Sequence, residues 1–314
     1  MSEIFSITIP IFVLISLGFL SVRLQIFGKP EIRTLGSFVM SFALPALILR
    51  SISERSFAEI FNLHYVLVYA LGSLAVFLIG LGFSRKFLRA PLQTSAITAL
   101  GMSTSNTGFI GYPLLAVVIG PPAAVALSMN MLVENILMIP LAIALAEGGS
   151  AGSGGMRSIL AGTIARLVRT PIIIAIMIGT ALSLLEWKLP APLLRSVDML
   201  AMASGAVALF AVGGMLHGLR LGGMAGNLSL IVVGKLVLHP IAIILTLMAF
   251  PIGNHELTIA AVLMASVPMM SIYPLLGQRF GEEKLCAGAL LCATVFSFFT
   301  LSLVIWMLRQ GLLG

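Results

Sequence analysis

The chain is 314 residues long, 59% of them hydrophobic and 9% charged, with a formal net charge of +7 and a mean hydropathy of +1.13. Soluble domains carry about 25% charged residues, so this chain lacks the polar surface that a globule in water needs. Its solvent is therefore predicted to be lipid, which disfavours a large extramembrane domain and catalysis in water. The basic residues are scattered singly between apolar runs, which argues against a nucleic-acid partner.

Ten apolar runs, each of about the 20 residues that one bilayer crossing requires, follow one another along the chain. The first run has no small-residue cleavage site after it and is expected to remain as a span. Cys286 and Cys292 lie on different helix faces, which predicts neither a disulfide nor a metal site, and no cofactor is expected. The expected spans are residues 4–22, 34–52, 63–84, 94–119, 122–146, 170–186, 197–216, 227–250, 257–280 and 285–308.

The connections between the spans differ in positive charge. Because basic connections stay on the cytoplasmic side, both termini are predicted to be periplasmic, in a multi-pass protein of a bacterial inner membrane. Twelve of the 18 basic residues follow odd-numbered spans: Arg23, Lys29, Arg33, Arg85, Lys86, Arg89, Arg157, Arg166, Arg169, Arg220, Arg279 and Lys284.

The two halves of the sequence resemble each other. Five spans in each half make the second half start on the opposite side, so halves that share a fold would be inverted repeats. We expect repeats at 1–146 and 170–314, joined by a cytoplasmic Gly/Ser-rich linker at 147–169. At a constant offset of 161 residues, Pro10 matches Pro171, Gly18 matches Gly179, Ser105 matches Ser266, residues 112–115 match 273–276 (both Tyr-Pro-Leu-Leu), and Gly120 matches Gly281.

The fourth and ninth spans are apolar but interrupted near the middle by Gly, Pro and hydroxyl residues. Proline lacks an N–H and clashes with the preceding turn, so the helix should open between Asn106 and Pro113 and between Pro268 and Pro274. Twelve residues before the first break extend about 18 Å, against a hydrocarbon core of about 30 Å. Each half-helix would therefore end inside the membrane. The alternative is a pair of ordinary proline kinks.

Helix N-termini inside a membrane present free N–H groups and partial positive charge, which favour an anionic substrate group. The breaks therefore predict a substrate site at the midplane. Its polar side chains could instead serve only as local caps. The candidate substrate-binding residues are Asn106, Thr107, Gly108, Gly111, Pro113, Ser266, Pro268, Ser271 and Pro274.

Two charged residues, Glu134 in the fifth span and Lys235 in the eighth, stand out among those within spans, where an unpaired charge is costly. Glu134 shares a helix face with Asn130 and is followed by Asn135, while Lys235 shares a face with His239. We hypothesise that the carboxylate and the ammonium approach the two breaks, balance their dipole ends and carry a coupling proton. A purely structural ion pair, or a lysine that extends to the interface, is the alternative.

With these residues in view, the chain resembles the auxin efflux carrier family, which includes bacterial malonate and malate permeases and plant auxin transporters. The resemblance implies ten helices in two inverted five-helix repeats with crossed broken helices, a fold like that of sodium–proton antiporters and bile-acid symporters. It also implies carboxylate substrates and elevator-like movement of a transport domain (spans 3–5 and 8–10) against a scaffold (spans 1, 2, 6 and 7). The matching segments are residues 38–47, 106–107, 111–115, 169–171 with Gly179, 208–213 and 268–274.

Two features depart from the plant members of that family. Their long central loop is reduced here to residues 147–170, and their asparagine before the sixth-span proline is Thr170. Auxin is therefore disfavoured as substrate. We expect a secondary transporter of a small organic anion such as malonate or malate, coupled to protons, to sodium or to neither. An anion channel of the same fold, an intramembrane enzyme and a receptor are the alternatives, and a homodimer through the scaffold is left open.

Overall fold

The computed structural model describes residues 2–53, 62–148, 170–185, 187–218 and 225–311. Most of the predicted linker lies outside these ranges. Within them every regular element is helical, and we number the helices α1 to α12. They are α1 Ser2–Arg23, α2 Lys29–Ser53, α3 Leu63–Lys86, α4 Leu92–Ser103, α5 Tyr112–Val118, α6 Pro122–Glu147, α7 Pro171–Leu184, α8 Ala191–Leu216, α9 Gly226–Ala249, α10 His255–Ser266, α11 Tyr273–Gln278 and α12 Glu283–Arg309.

Six of the described helices are long and apolar enough to cross a membrane: α2, α3, α6, α8, α9 and α12. Shorter apolar helices lie in α1, α7 and α10. This pattern is that of a polytopic membrane protein. The predicted fourth and ninth spans are each divided into two helices, α4 with α5 and α10 with α11.

Four helical segments contain one turn of π-helix, and each such turn ends two residues before a proline. The residue just before each proline donates its N–H to the carbonyl five positions back, as Ile139 does to Glu134 and His239 does to Gly234. A proline ring clashes with the carbonyl four positions earlier, and a wider turn moves that carbonyl aside. The π-turns are Val39–Ala43, Thr107–Gly111, Val133–Met138 and Gly234–Leu238, before Pro45, Pro113, Pro140 and Pro240.

Several pairs of helices make the main packing contacts. α1 packs on α8, α2 on α7 and α8, while α3 packs on α4 and α9, α4 on α6, and α12 on α9, α10 and α11. The α1–α8 crossing is very close, because a Cβ at Gly18 would lie 1.9 Å from the Phe210 carbonyl oxygen and one at Gly213 would lie 1.8 Å from that of Ile15. Glycine at both positions lets the two backbones touch.

Candidate functional site

The first break is shorter than predicted and lies earlier in the chain. α4 ends at Ser103, where the Thr104 hydroxyl donates to the Leu100 carbonyl 2.7 Å away. Helical geometry resumes at Thr107 in a π-turn that leads directly into α5. The prediction that the helix opens between Asn106 and Pro113 is therefore wrong in extent. The chain is helical through Gly111, because the π-turn accommodates Pro113 without a second interruption.

The second break touches the first through both backbone and side chain. α10 ends at Ser266 and α11 begins at Tyr273, with Pro274 in its first turn, where a missing N–H costs nothing. The Asn106 N–H donates to the Pro268 carbonyl at 2.7 Å, and its side-chain amide donates to the Ser271 hydroxyl at 2.7 Å. The two breaks therefore meet at Asn106.

Glu134 belongs to α6, but its carboxylate lies beside the start of the helix that resumes after the first break. Its side chain is buried, and its two oxygens accept from different donors. Oε1 accepts from the Ser105 backbone N–H at 2.7 Å, and Oε2 accepts from the Thr107 hydroxyl at 2.9 Å. An anion here is favourable, since N–H groups at a helix start carry partial positive charge. The π-turn of α6 contains Glu134 and carries it to this position.

Lys235 is completely buried, and its ammonium lies at the C-terminal end of α10. Its ammonium has three acceptors: the Ala265 carbonyl at the end of α10 at 2.9 Å, the Ser105 hydroxyl at 2.7 Å and His239 Nδ1 at 2.7 Å. Three donors thus meet three acceptors, which is what a buried ammonium requires. The ammonium also offsets the partial negative charge of the helix C-terminus.

Ser105 connects the two charges. Its backbone N–H bonds Glu134, while its hydroxyl accepts from Lys235 and lies 2.9 Å from the Tyr69 hydroxyl. Because His239 Nδ1 accepts from Lys235, its Nε2 carries the hydrogen and donates to Ser73, 2.9 Å away. One serine thus joins a carboxylate on α6 to an ammonium on α9.

A cavity of about 130 Å³ lies beside this network. Its polar wall consists of both breaks and Glu134 with Asn135, and its apolar wall includes Met40 of α2 and Ile172 of α7. The cavity therefore lies between the two breaks on one side and α2 and α7 on the other. The complete lining is Met40, Ser105, Asn106, Thr107, Gly108, Phe109, Met131, Glu134, Asn135, Ile139, Thr170, Ile172, Ile173, Met270, Ser271 and Ile272.

Only some of the predicted substrate-binding residues line this cavity. Asn106, Thr107, Gly108 and Ser271 do. The other five lie outside the lining: Gly111 against Met264, Pro113 near Gly205, Ser266 bonded to the Val262 carbonyl, Pro268 bonded through its carbonyl to Asn106, and Pro274 in the first turn of α11.

The predicted charge-balance residues also fall into two sets. Glu134 and Asn135 line the cavity, whereas Lys235 and His239 lie behind Ser105 and outside the lining. Asn130 is buried and accepts from the Tyr65 hydroxyl at 2.8 Å.

Three positions on α3 that hydrogen-bond this network were not predicted from the sequence, and Ser105 was predicted only as part of the repeat. Tyr65, Tyr69 and Ser73 are fully buried and face the network. Their spacing of four residues places a polar stripe on one face of an otherwise apolar span. That stripe is a signal that could have found them.

The sequence matches the family described as "Membrane transport protein" over residues 4–306. The chain belongs to this family. The resemblance to the auxin efflux carrier family is thereby confirmed, and the protein is a membrane transporter.

Two curated relatives match over nearly their whole lengths. A protein of Rhizobium meliloti (strain 1021) named "Putative malonate transporter" is 28% identical over 100% of this chain and 98% of its own. The "Uncharacterized transporter YfdV" of Escherichia coli (strain K12) is 26% identical over 92% of each chain. Both names indicate a transporter and not an enzyme.

Proposed function

We propose that this transporter carries a small carboxylate, of the malonate or malate class, through the cavity at the crossing of the two breaks. The observation that carries the proposal is that Asn106, Thr107 and Ser271 line a cavity whose opposite wall includes the apolar residues Met40 and Ile172. The first residues of the helix that begins at Thr107 line this cavity, and the N–H groups of a helix start favour a carboxylate. The name of the Rhizobium relative agrees with this substrate class.

Charge balance is the second step of the proposal. Glu134 alone would repel an anion in the cavity. Lys235 is joined to the same Ser105 through hydrogen bonds of 2.7 Å, so the carboxylate and the ammonium together contribute no net charge. The partial positive charge of the resumed helix then determines which ions enter. We propose that Glu134 also binds the coupling proton.

The proposed architecture is ten spans in two inverted five-helix repeats, with α4–α5 and α10–α11 as the crossed fourth and ninth spans. Helix contacts support this architecture. The symmetry of an inverted repeat relates the first span (α1) to the sixth (α7) and the second span (α2) to the seventh (α8). The α1–α8 contact then corresponds to the α7–α2 contact, and both are present. The matched Gly120 and Gly281 adopt the same left-handed conformation, at φ values of 69° and 75°.

Elevator-type alternating access is the proposed mechanism. The helices α1, α2, α7 and α8 would form the scaffold, and α3–α6 with α9–α12 would form the transport domain. Support comes from the cavity, whose polar wall belongs to the proposed transport domain and whose opposite wall includes Met40 and Ile172 of the scaffold. A sliding transport domain would carry the substrate past that apolar wall. We retain a bacterial inner membrane with periplasmic termini as the proposed setting.

A thermal-shift screen of the purified protein against acetate, malonate, malate and succinate tests the substrate class. We expect at least one of them to raise the melting temperature. Asn106→Ala should remove that shift, because the side chain lines the cavity and orders Ser271. The matched control is Asn254→Ala, which removes a cap at the start of α10, where Asn254 accepts from the Leu257 N–H, and leaves the cavity intact.

Transport by the reconstituted protein separates a carrier from an anion channel. A carrier loaded with unlabelled malonate should accumulate external labelled malonate transiently, because each return step exchanges one substrate for another. A channel would equilibrate the label without overshoot. Absence of any carboxylate-induced shift together with absence of uptake would contradict the proposed function.

A further inference from the structure

We propose that the Thr107 hydroxyl transmits the protonation state of Glu134 to the substrate cavity by reversing the direction of its hydrogen bond. The inference rests on the proposed function, since it concerns the same cavity and a carboxylate substrate. The two oxygens of Glu134 accept from different donors.

Oε1 of Glu134 is held by a backbone N–H. That donor, from Ser105 at 2.7 Å, cannot become an acceptor. Oε2 is the oxygen whose partner, the Thr107 hydroxyl, can change from donor to acceptor, so we place the proton there. The new O–H group needs an acceptor, and the Thr107 hydroxyl oxygen lies 2.9 Å from Oε2.

The threonine hydroxyl has one hydrogen, which it can donate either to Glu134 or to a ligand in the cavity. When Glu134 is ionised, Thr107 donates to Oε2 and offers only lone pairs elsewhere. When Glu134 is protonated, its O–H donates to Thr107, and the threonine hydrogen is released. Thr107 lines the cavity, so the released hydrogen can bond a substrate carboxylate there.

Ser271 provides a second donor in the same cavity. Its hydroxyl oxygen accepts from the Asn106 amide at 2.7 Å, which leaves its hydrogen to be directed to a ligand. A carboxylate has two oxygens, so the serine and the threonine can each bond one of them. The pair is complete only when Glu134 carries a proton. Substrate and proton would then bind together, with the proton taken from water and no covalent bond to substrate formed.

The other ionisable groups around Glu134 do not reach the cavity lining. Lys235 and His239 from α9 bond each other and lie behind Ser105, and the Tyr65 and Tyr69 hydroxyls from α3 face Asn130 and Ser105. Among the residues that line the cavity, Glu134 is the only acidic or basic side chain. Thr107 is therefore a positioning residue between one titrating carboxyl group and the substrate.

The test measures malonate affinity of the full chain in detergent at about pH 5 and about pH 9 for the wild type, Thr107→Val and Thr107→Ser. Ionisation of malonate itself cancels, because variants are compared at the same pH. We expect Thr107→Val to weaken binding by about tenfold or more at the lower pH and by less than about threefold at the higher pH. Thr107→Ser retains the hydroxyl and should stay within about threefold of the wild type at both.

Glu134→Gln supplies the second arm. The glutamine amide can accept from Ser105 and donate to Thr107 permanently, which imitates the protonated acid. Its malonate affinity should not change with pH beyond the change caused by malonate itself. Adding Thr107→Val to it should cost about tenfold at both pH values. Thr107→Ala replaces Thr107→Val if the valine variant does not fold.

The outcomes distinguish the two proposals. If malonate binds and the loss caused by Thr107→Val is the same at both pH values, the hydroxyl does not report protonation, although the transporter proposal stands. A loss that serine does not rescue also overturns the inference. If neither malonate nor the other screened carboxylates bind the wild type, the proposed function fails and the inference fails with it.

Discussion

Removing the ammonium of Lys235 tests whether the two buried charges act as one unit. Lys235→Met keeps an unbranched chain but leaves the Ala265 carbonyl and His239 Nδ1 without a donor. Glu134 would lose its compensating charge. Removing one partner of a buried ion pair typically lowers the free energy of unfolding by about 3–5 kcal/mol. We expect the free energy of unfolding to fall by that amount.

The coupling between the charges can be worked from the bridge through Ser105. Two hydrogen bonds of 2.7 Å and the serine between them place the carboxylate within about 8 Å of the ammonium. At an effective dielectric constant of about 20, their attraction at that distance is about 2 kcal/mol. Glu134→Gln combined with Lys235→Met should therefore cost about 2 kcal/mol less than the sum of the single substitutions.

The assay is denaturant unfolding in detergent micelles, followed by circular dichroism for the wild type, both single variants and the double variant. Lys188→Met is the matched control, because Lys188 is exposed in the connection before α8, and it should change stability by less than about 0.5 kcal/mol. If the double variant loses the sum of the two single losses in unfolding free energy, to within about 0.5 kcal/mol, the two groups do not interact and the reasoning is refuted.

Two further predictions concern packing and access. Gly213→Ala places a Cβ 1.8 Å from the Ile15 carbonyl oxygen and should destabilise the protein by about 3 kcal/mol or more in the same unfolding assay, whereas Gly82→Ala, with open space around it, should be neutral or slightly stabilising. In a background without the two native cysteines, Asn135→Cys should react with a small thiol reagent and be protected by malonate, because position 135 lines the cavity, whereas Ser73→Cys should stay unreactive. Equal labelling of the two positions, or equal stability of the two alanine variants, would contradict the packing described above.

The sequence was sufficient to predict a helical membrane protein, because composition and span length follow from the thickness of the bilayer. The family and the transporter function followed from the order of short motifs along the chain. The sequence also indicated interruptions in the right two spans. The extent of the first was wrong, since the effect of Pro113 depends on how the preceding turn responds. A π-turn at Thr107–Gly111 absorbs the clash, so the extended segment is confined to residues 104–106.

The network at Ser105 was harder to predict for a different reason. Its members come from α3, α6, α9 and the first break, and no spacing in the sequence relates Tyr69, Ser105, Glu134 and Lys235. Spacing reports neighbours on one helix, whereas this site depends on how separate helices meet. The local patterns were confined to single helices: the polar stripe on α3 and the four-residue spacings of Asn130 with Glu134 and of Lys235 with His239. Met40 and Ile172, which form part of the apolar cavity wall, could not be singled out from the sequence, because apolar residues occur throughout the spans.

The π-turns allow two helices to lose a residue without losing their direction. Each contains one residue more than an α-helix would use along the same path, and the extra residue sits beside Glu134 in α6 and Lys235 in α9. Deleting a single residue there would return the turn to α-helical geometry along the same path, whereas a deletion in an ordinary stretch of α-helix rotates everything on one side of it by about 100°. At these two turns the side chains that would change direction are those of the turn itself, so such a deletion would move the carboxylate or the ammonium away from its partners while the rest of the helix kept its place.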